Sequence, residues 1–135
     1  MKLSDISPLS ALKTILVSAG VDCVIYDDGK PTSGLPDSYI ELIQNGSLKS
    51  ETEKVSIVNG VALISINVKL LSTGAVNTKK GTLILKKFED LFFNGKTATS
   101  GSYHFSLDKD NMVYSGRGLS EGYSSKVINL VFKTF

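Results

Sequence analysis

The clearest secondary-structure signal in the chain lies in residues 54–71, which read KVSIVNGVALISINVKLL. Asn59 and Gly60 are the favoured pair for a two-residue hairpin turn, because both central positions of that turn require positive φ. After them apolar and polar residues alternate, as expected for a strand with one face on a core. The apolar series is Ala62, Ile64, Ile66, Val68 and Leu70. The stretch therefore predicts a β-hairpin whose second strand lines the core.

Two amphipathic helices are predicted, one before and one after this hairpin. In the first, Ser7 is the capping residue, Pro8 suits the first helical position and Gly20 ends the helix. Its apolar stripe is Leu9, Leu12, Ile15, Leu16 and Ala19. The second helix is predicted from Lys79 or Thr82 to Phe93, with one apolar face formed by Ile84, Phe88 and Leu91. Each helix should lie with its apolar stripe on a sheet.

The remaining strands are predicted from short apolar or alternating runs. Residues 21–26 form an apolar run without alternation, which indicates a strand covered on both faces. Residues 27–37 hold two Gly, two Pro and three Asp and are predicted to be a loop. The other predicted segments are a strand at 39–44, a turn at Asn45–Gly46, a strand at 103–107, a turn at 108–111, a returning strand at 112–115 and a final strand at 127–135.

Helices that interrupt mainly antiparallel strands are typical of an α+β fold. We therefore predict one α+β domain over residues 1–135, a mainly antiparallel sheet with two helices packed on it. The chain is long enough for one core, and its 41% hydrophobic and 21% charged residues are typical of globular proteins.

The charge balance and the single cysteine narrow the classes of function. A net charge of +2 is too small to indicate nucleic-acid binding, which usually shows a concentrated basic face. Cys23 lies in the apolar run VDCVIY, where it is expected to act as a small buried hydrophobe rather than as a reactive thiol. No stretch approaches the length of a membrane span or a signal peptide. We expect a cytoplasmic protein, or one that is assembled in a cytoplasm, with no membrane partner.

No catalytic, cofactor-binding or metal-binding residue is predicted. The one histidine, His104, lies on the polar side of an alternating strand. The run from Asp108 fails the calcium-loop pattern, since Val113 stands at the obligatory glycine position. Gly116 and Gly118 lack the third glycine of a dinucleotide fingerprint. Asp27 and Asp28 could act as an acid–base pair, but adjacent residues of an extended chain point to opposite sides, so a solvated loop is favoured. We expect a protein that is not an enzyme.

The second helix carries its charges against the backbone dipole. Lys79 and Lys80 stand at its amino end, and Glu89 and Asp90 stand in its last turns. One interpretation is that the lysines are placed for a partner. The other is that Thr82 caps the helix and the lysines lie outside it.

The order and size of the elements resemble the tail-completion and tail-terminator proteins, or neck-ring proteins, of tailed bacteriophages. The resemblance covers the opening helix, the segment SYIELI, the hairpin stretch, the helix LILKKFEDLFF and the closing VFKTF. It implies a non-enzymatic virion protein without a cofactor, which forms a homo-oligomeric ring, commonly a hexamer, at the head–tail junction or tail end. It also implies partners among other tail or neck proteins, and contact with DNA at most through the lumen of the ring.

In such a ring the natural contact arms are the loop 27–37 and the polar segment 47–54. The residues expected at partner contacts are Asp28, Lys30, Lys49, Lys54, Lys79 and Lys80. The alternative is a monomeric binding module on an antiparallel sheet, for which Tyr103, Tyr114 and Tyr123 are the candidate aromatics. A small enzyme is the third possibility, but no polar cluster supplies its pocket. The native mass separates a ring former from a monomer.

Overall fold

The computed structural model describes residues 8–50, 58–93, 95–101, 103–107, 113–117 and 122–134. Two helices and seven strands occur in these ranges, with more residues in strands than in helices. In chain order they are α1 (Pro8–Ser18), β1 (Val24–Tyr26), β2 (Ser38–Ser50), β3 (Val58–Lys69), α2 (Thr78–Phe92), β4 (Ala98–Ser100), β5 (Tyr103–Leu107), β6 (Val113–Arg117) and β7 (Tyr123–Thr134). The predicted α+β composition is confirmed.

All seven strands belong to one curled sheet. Its order is β1-β2-β3-β7-β5-β4, and β6 also pairs with β7. β1 runs parallel to β2, while the other pairs are antiparallel. The sheet is therefore mixed rather than purely antiparallel, although five of its six described strand pairs are antiparallel, as expected of a mainly antiparallel sheet. The parallel pair arises because the loop 27–37 carries the chain back from the end of β1 to the start of β2.

The two helices cover one face of the sheet. α1 contacts β2, β4 and β5, and α2 contacts β3 and β5. The predicted apolar series of β3 is confirmed from Ala62 to Val68, whose side chains are buried in the core with Ile40, Leu42, Ile128 and Leu130. Leu70 follows the end of β3 and is only half-buried. The strand alternation thus correctly identified the face on which the helices pack.

Both helices are close to their predicted bounds. α1 buries Leu12, Ile15 and Leu16 as expected, while its proposed capping residue Ser7 lies outside the described residues. α2 begins at Thr78, earlier than predicted, because the side chain of Asn77 caps it by accepting from the Lys80 N–H. Lys79 and Lys80 therefore lie inside its first turn, and the interpretation that places them outside the helix is wrong.

The predicted turn at Asn59–Gly60 is wrong. Both residues lie inside β3, where Asn59 pairs with Lys49 of β2 and Gly60 pairs with Phe132 of β7. A Cβ on Gly60 would lie 2.5 Å from the Phe132 ring, so glycine is required here by a close packing contact rather than by a turn. β2 and β3 do form a hairpin, and the residues that connect Ser50 to Val58 lie outside the described ranges.

The predicted turn at Asn45–Gly46 is also wrong, because β2 continues to Ser50. Asn45 pairs with Val61 and Lys49 pairs with Asn59, so residues 46–48 stand opposite Gly60 alone. The turn-forming residues therefore mark a β-bulge, a position where glycine is also common. Of the polar segment 47–54, residues 47–50 continue the strand of the hairpin.

Two further strand predictions need correction. Only residues 24–26 of the run 21–26 form β1, and Val24 is 48% exposed, since β1 is an edge strand that is not covered on both faces. A strand at 112–115 is confirmed as β6, but its predicted return along β5 is wrong, because β5 and β6 run in the same direction, both antiparallel to β7. The predicted turn at 108–111 lies outside the described residues. β7 begins at Tyr123, four residues earlier than predicted from Val127.

Candidate assembly surfaces

The residues predicted to contact partners do not form one cluster. Asp28 is exposed in the loop 27–37, and Lys30 of the same loop lies with its Nζ 5.9 Å from the centre of the Tyr39 ring. Lys49 lies in β2, and Lys54 lies outside the described residues. Lys79 and Lys80 lie in the first turn of α2. The prediction thus falls on three separate regions: the loop, the β2–β3 hairpin and α2.

The loop 27–37 is anchored at both of its ends. At the start, the carboxylate of Asp27 accepts a hydrogen bond from the Ser10 hydroxyl (3.3 Å) and lies 3.8 Å from the ammonium of Lys13. Near the end, the hydroxyl of Tyr123 donates to the carbonyls of Leu35 (3.3 Å) and Pro36 (2.6 Å). The loop is therefore held against α1 on one side and β7 on the other. Asp28 and Lys30 therefore lie on a loop whose two ends are held in place.

Three tyrosines pack on the sheet face opposite the helices. The Tyr39 ring makes edge contacts with Tyr26 and with Tyr123, at centroid distances of 5.9 Å and 5.4 Å. The sequence predicts Tyr103, Tyr114 and Tyr123 as the candidate aromatics of a binding module. Tyr103 is instead buried in the core beside Phe132, and the side chain of Tyr114 lies outside the described residues. The alternate positions of β1 and β2 could have identified Tyr26 and Tyr39.

Polar side chains of β3 and β7 are buried on this second face. Four are almost inaccessible to solvent: Ser65, Asn67, Ser125 and Asn129. The Asn67 amide donates to the Ser65 carbonyl (3.1 Å) and lies 3.2 Å from the Ser65 hydroxyl. Its Oδ1 is the one buried side-chain oxygen or nitrogen without a partner in the described residues. Alternation predicted polar residues here, but could not reveal that they are buried.

Cys23 lines a shallow groove of about 490 Å³ between the start of β1, the end of the loop 27–37 and the amino end of α2. Its thiol lies 3.8 Å from the Ser38 hydroxyl. Burial raises the pKa of the Cys23 thiol above its ordinary value, while the Ser38 hydrogen bond and the Lys80 ammonium oppose the increase. A thiol that stays protonated at neutral pH is a poor nucleophile. The geometry thus agrees with the expectation of a structural cysteine, although Cys23 is half-buried rather than fully buried.

Over most of its length, the outer edge of β2 pairs with no strand in the part of the chain that the structure describes. β1 pairs with residues 39–41 of β2, and no described strand pairs with the same edge from Leu42 to Ser50. Alternate residues of such an edge direct their N–H and C=O groups away from the sheet, where another chain can bind them. The bulge between Asn45 and Lys49 limits regular pairing to Leu42–Asn45 and the end of the strand.

His104 lies near the other edge of the sheet, where its Nδ1 is 3.1 Å from the Thr99 hydroxyl of β4. Among the described residues no group of three or more His, Cys, Asp or Glu side chains could hold a metal ion. Neither described helix is long and apolar enough to cross a membrane. The surfaces with a definable chemistry are therefore the β2 edge, the loop 27–37 and α2.

No protein-family model matches the chain. No curated protein matches it either.

Proposed function

We propose that the protein is a non-enzymatic structural protein of a tailed-phage virion, which forms a homo-oligomeric ring at the head–tail junction or at the tail end. It would be assembled in the host cytoplasm, bind no cofactor and attach to other tail or neck proteins. Contact with DNA would occur at most through the lumen of the ring. The observation that carries the proposal is the outer edge of β2 from Leu42 to Ser50, along which no other strand of the described residues pairs.

An unpaired edge favours self-association because its outward N–H and C=O groups can continue the sheet into a neighbouring subunit. β4 leaves a second short edge at the other end of the sheet order. Joining two different edges of successive subunits is a heterologous contact, and heterologous contacts generate closed rings when the rotation between subunits closes. The two edges therefore supply the kind of contact that a ring needs.

The loop 27–37 supports the same proposal. Its hydrogen bonds to α1 and β7 hold it at a fixed position beside β1, the short strand next to the β2 edge. A loop anchored at both ends loses less conformational entropy when a partner binds to it. Asp28 and Lys30 are the charged residues that this loop offers to a neighbouring subunit.

The test is the native mass of the full chain, measured by light scattering over a range of concentrations, with electron microscopy to detect rings. We expect a multimer whose images show a closed ring. Proline substitutions at Ile43 and Gln44 identify the contact, because adjacent strand residues direct their N–H groups to opposite edges. The variant whose N–H points outward keeps the ladder hydrogen bonds between β2 and β3, and it should remain folded but become monomeric.

A chain that stays monomeric at every concentration, and that fails to join purified tail or neck components, would contradict the ring proposal. The same result would favour the alternative, a monomeric binding module. The observation in favour of that alternative is the contact of Tyr26, Tyr39 and Tyr123 on the face without helices. Tyr39 is fully buried, however, so it cannot stack on a ligand unless the loop 27–37 moves.

A further inference from the structure

The outer face of α2 carries an exposed leucine among lysines. Leu83 is 60% exposed, although the apolar face of the same helix buries Ile84, Phe88 and Phe92 against the sheet. Residues three and four positions away along a helix are its surface neighbours. For Leu83 all four of these neighbours are lysines: Lys79, Lys80, Lys86 and Lys87. We call these five residues the Leu83 patch.

The charges of the Leu83 patch are not neutralised within the described residues. The ion pairs found there join Lys13 to Asp27, Lys69 to Asp37 and Lys96 to Asp90. None of them involves a lysine of the patch or Glu89, the acidic residue nearest to the patch along the helix, and Asp90 is paired with Lys96 at 3.9 Å. Four cations therefore surround one apolar side chain, and none of the four is in an ion pair within the described residues.

The position of the patch on the helix is unfavourable for the isolated subunit. Lys79 and Lys80 lie in the first turn, where the helix dipole disfavours cations, and that turn contains no acidic residue. The exposure of the apolar Leu83 side chain to water is also unfavourable. A set of residues that breaks local rules without a local gain is expected where a partner supplies the gain.

We propose that the Leu83 patch docks onto an acidic surface of a partner protein, with Leu83 packed against an apolar side chain and the lysines facing carboxylates. This inference rests on the proposed function, because the partner would be another tail or neck protein. Its chemistry follows from the patch: carboxylates match the ammonium groups in charge, and a protein surface also offers apolar atoms to Leu83. Aligned charges set the orientation of the contact, and the buried leucine supplies affinity.

Two other classes of partner fit the patch less well. A DNA backbone offers phosphates to the lysines, but no apolar contact for Leu83. An anionic membrane is bound by helices that present a broad apolar face. In α2 the broad apolar face is already buried against the sheet, and Leu83 is the one exposed apolar residue among the helix positions. A protein surface is thus the partner that uses both features of the patch.

The probe is a fluorescein-labelled helical peptide with one leucine flanked by glutamates at three- and four-residue spacing, the charge-reversed counterpart of the patch. Its affinity for the full chain is measured by fluorescence anisotropy. Leu83→Ala and Lys79→Glu should each weaken binding roughly tenfold, since a fully buried leucine or a close ion pair contributes about that factor. The matched controls are Leu71→Ala and Lys69→Glu, which change another exposed leucine and another exposed lysine and should leave affinity within about twofold.

Lys79→Glu also separates docking from misfolding. A glutamate in the first turn of α2 is favoured by the helix dipole, so a loss of binding cannot come from a weaker helix. A short DNA duplex and phosphatidylserine vesicles serve as competing probes. The proposal is overturned if the peptide does not bind, if Leu83→Ala binds like the unchanged chain, or if the duplex or the vesicles bind more tightly than the peptide and depend on the same residues.

The native mass of the unchanged chain distinguishes failure of this inference from failure of the ring proposal. A ring that forms normally but does not bind the peptide contradicts docking and leaves the ring proposal intact. A chain that stays monomeric at every concentration and fails to join purified tail or neck components, but binds the peptide through Leu83, supports docking and contradicts the ring.

Discussion

The contact between Gly60 and Phe132 joins the two central strands of the sheet. The Phe132 ring lies over the backbone of Gly60, at the position that a side chain would otherwise occupy. The ring is also part of an aromatic cluster with Tyr103 and Phe105, each at a centroid distance of 5.7 Å. Glycine in a strand interior lowers stability by itself, so its presence here is explained by this close approach.

We predict that Gly60→Ala lowers the free energy of unfolding by about 1–3 kcal/mol, the usual cost of overpacking. The added Cβ would lie 2.5 Å from a ring atom, so the ring or the strand must shift. Urea unfolding measures the change. The double variant Gly60→Ala/Phe132→Leu should lose less than the sum of the single variants, because a smaller side chain makes room for the Cβ.

Gly81→Ala is the matched control for this prediction. Gly81 lies in α2, and a Cβ at this position meets nothing within 4 Å. Alanine should therefore raise the free energy of unfolding by up to about 1 kcal/mol through its higher helix propensity. If Gly60→Ala is as stable as the unchanged chain, the close packing of Phe132 on Gly60 is wrong.

At the scale of the element, α2 combines a good amino-terminal cap with unfavourable charges. Asn77 Oδ1 accepts from the Lys80 N–H at 3.3 Å, which satisfies one of the free donors of the first turn. The lysines at positions 79 and 80 oppose the dipole at the same end. The Asn77 cap determines the residue at which α2 begins. The two lysines lower the stability of the helix but do not change its starting residue.

We predict that Lys79→Glu raises the free energy of unfolding of the subunit by about 0.3–1 kcal/mol at low salt. The gain should decrease at high salt, because the exposed charge is screened. The control is Lys86→Glu in the middle of the helix, where the dipole is weak and Glu89 and Asp90 stand three and four residues away. That variant should lose a few tenths of a kcal/mol. Equal effects of the two substitutions would contradict the dipole argument.

At the scale of the whole molecule, three groups with raised pKa values lie in different parts of the fold. Burial raises the pKa of Tyr103 in the core and of Cys23 in the groove beside α2. Burial is also the main cause of the raised pKa of Tyr123, with smaller contributions from Tyr39, Asp37 and Tyr26. All three groups are neutral when protonated, so the folded protein retains their protons to higher pH than the unfolded chain does.

We predict that the free energy of unfolding decreases as the pH rises above about 9. The stabilisation from a raised pKa is complete below the unfolded values, 9.0 for cysteine and 10.0 for tyrosine, and is lost as the pH rises through the folded values. Urea unfolding from neutral to alkaline pH measures the decrease. Tyr103→Phe should make it shallower, because phenylalanine does not titrate. A free energy that stays constant over this range would contradict the burial of these groups.

Local spacing was enough to predict the helices and the core-facing side of β3. Apolar residues at three- and four-residue spacing identified α1 and α2, and two-residue alternation identified Ala62, Ile64, Ile66 and Val68. The same reasoning placed Lys79 and Lys80 at the amino end of α2, because that position depends only on residues within one element, whereas their contact with a partner stays a prediction. These predictions succeeded since the forces behind them act between residues close together in the chain.

Strand pairing and burial on the second face depended on residues that are distant in the chain. Asn59–Gly60 has the composition of a turn, and only the Phe132 ring explains why it lies inside a strand. The direction of β6, the parallel pairing of β1 and the open edge of β2 follow from the position of each strand in the sheet. Likewise, only the tertiary structure shows that the sheet buries the opposite face of α2 and leaves Leu83 exposed as a candidate contact. Turn-type residues tolerate several backbone environments, so long-range packing selects the one that the folded protein adopts.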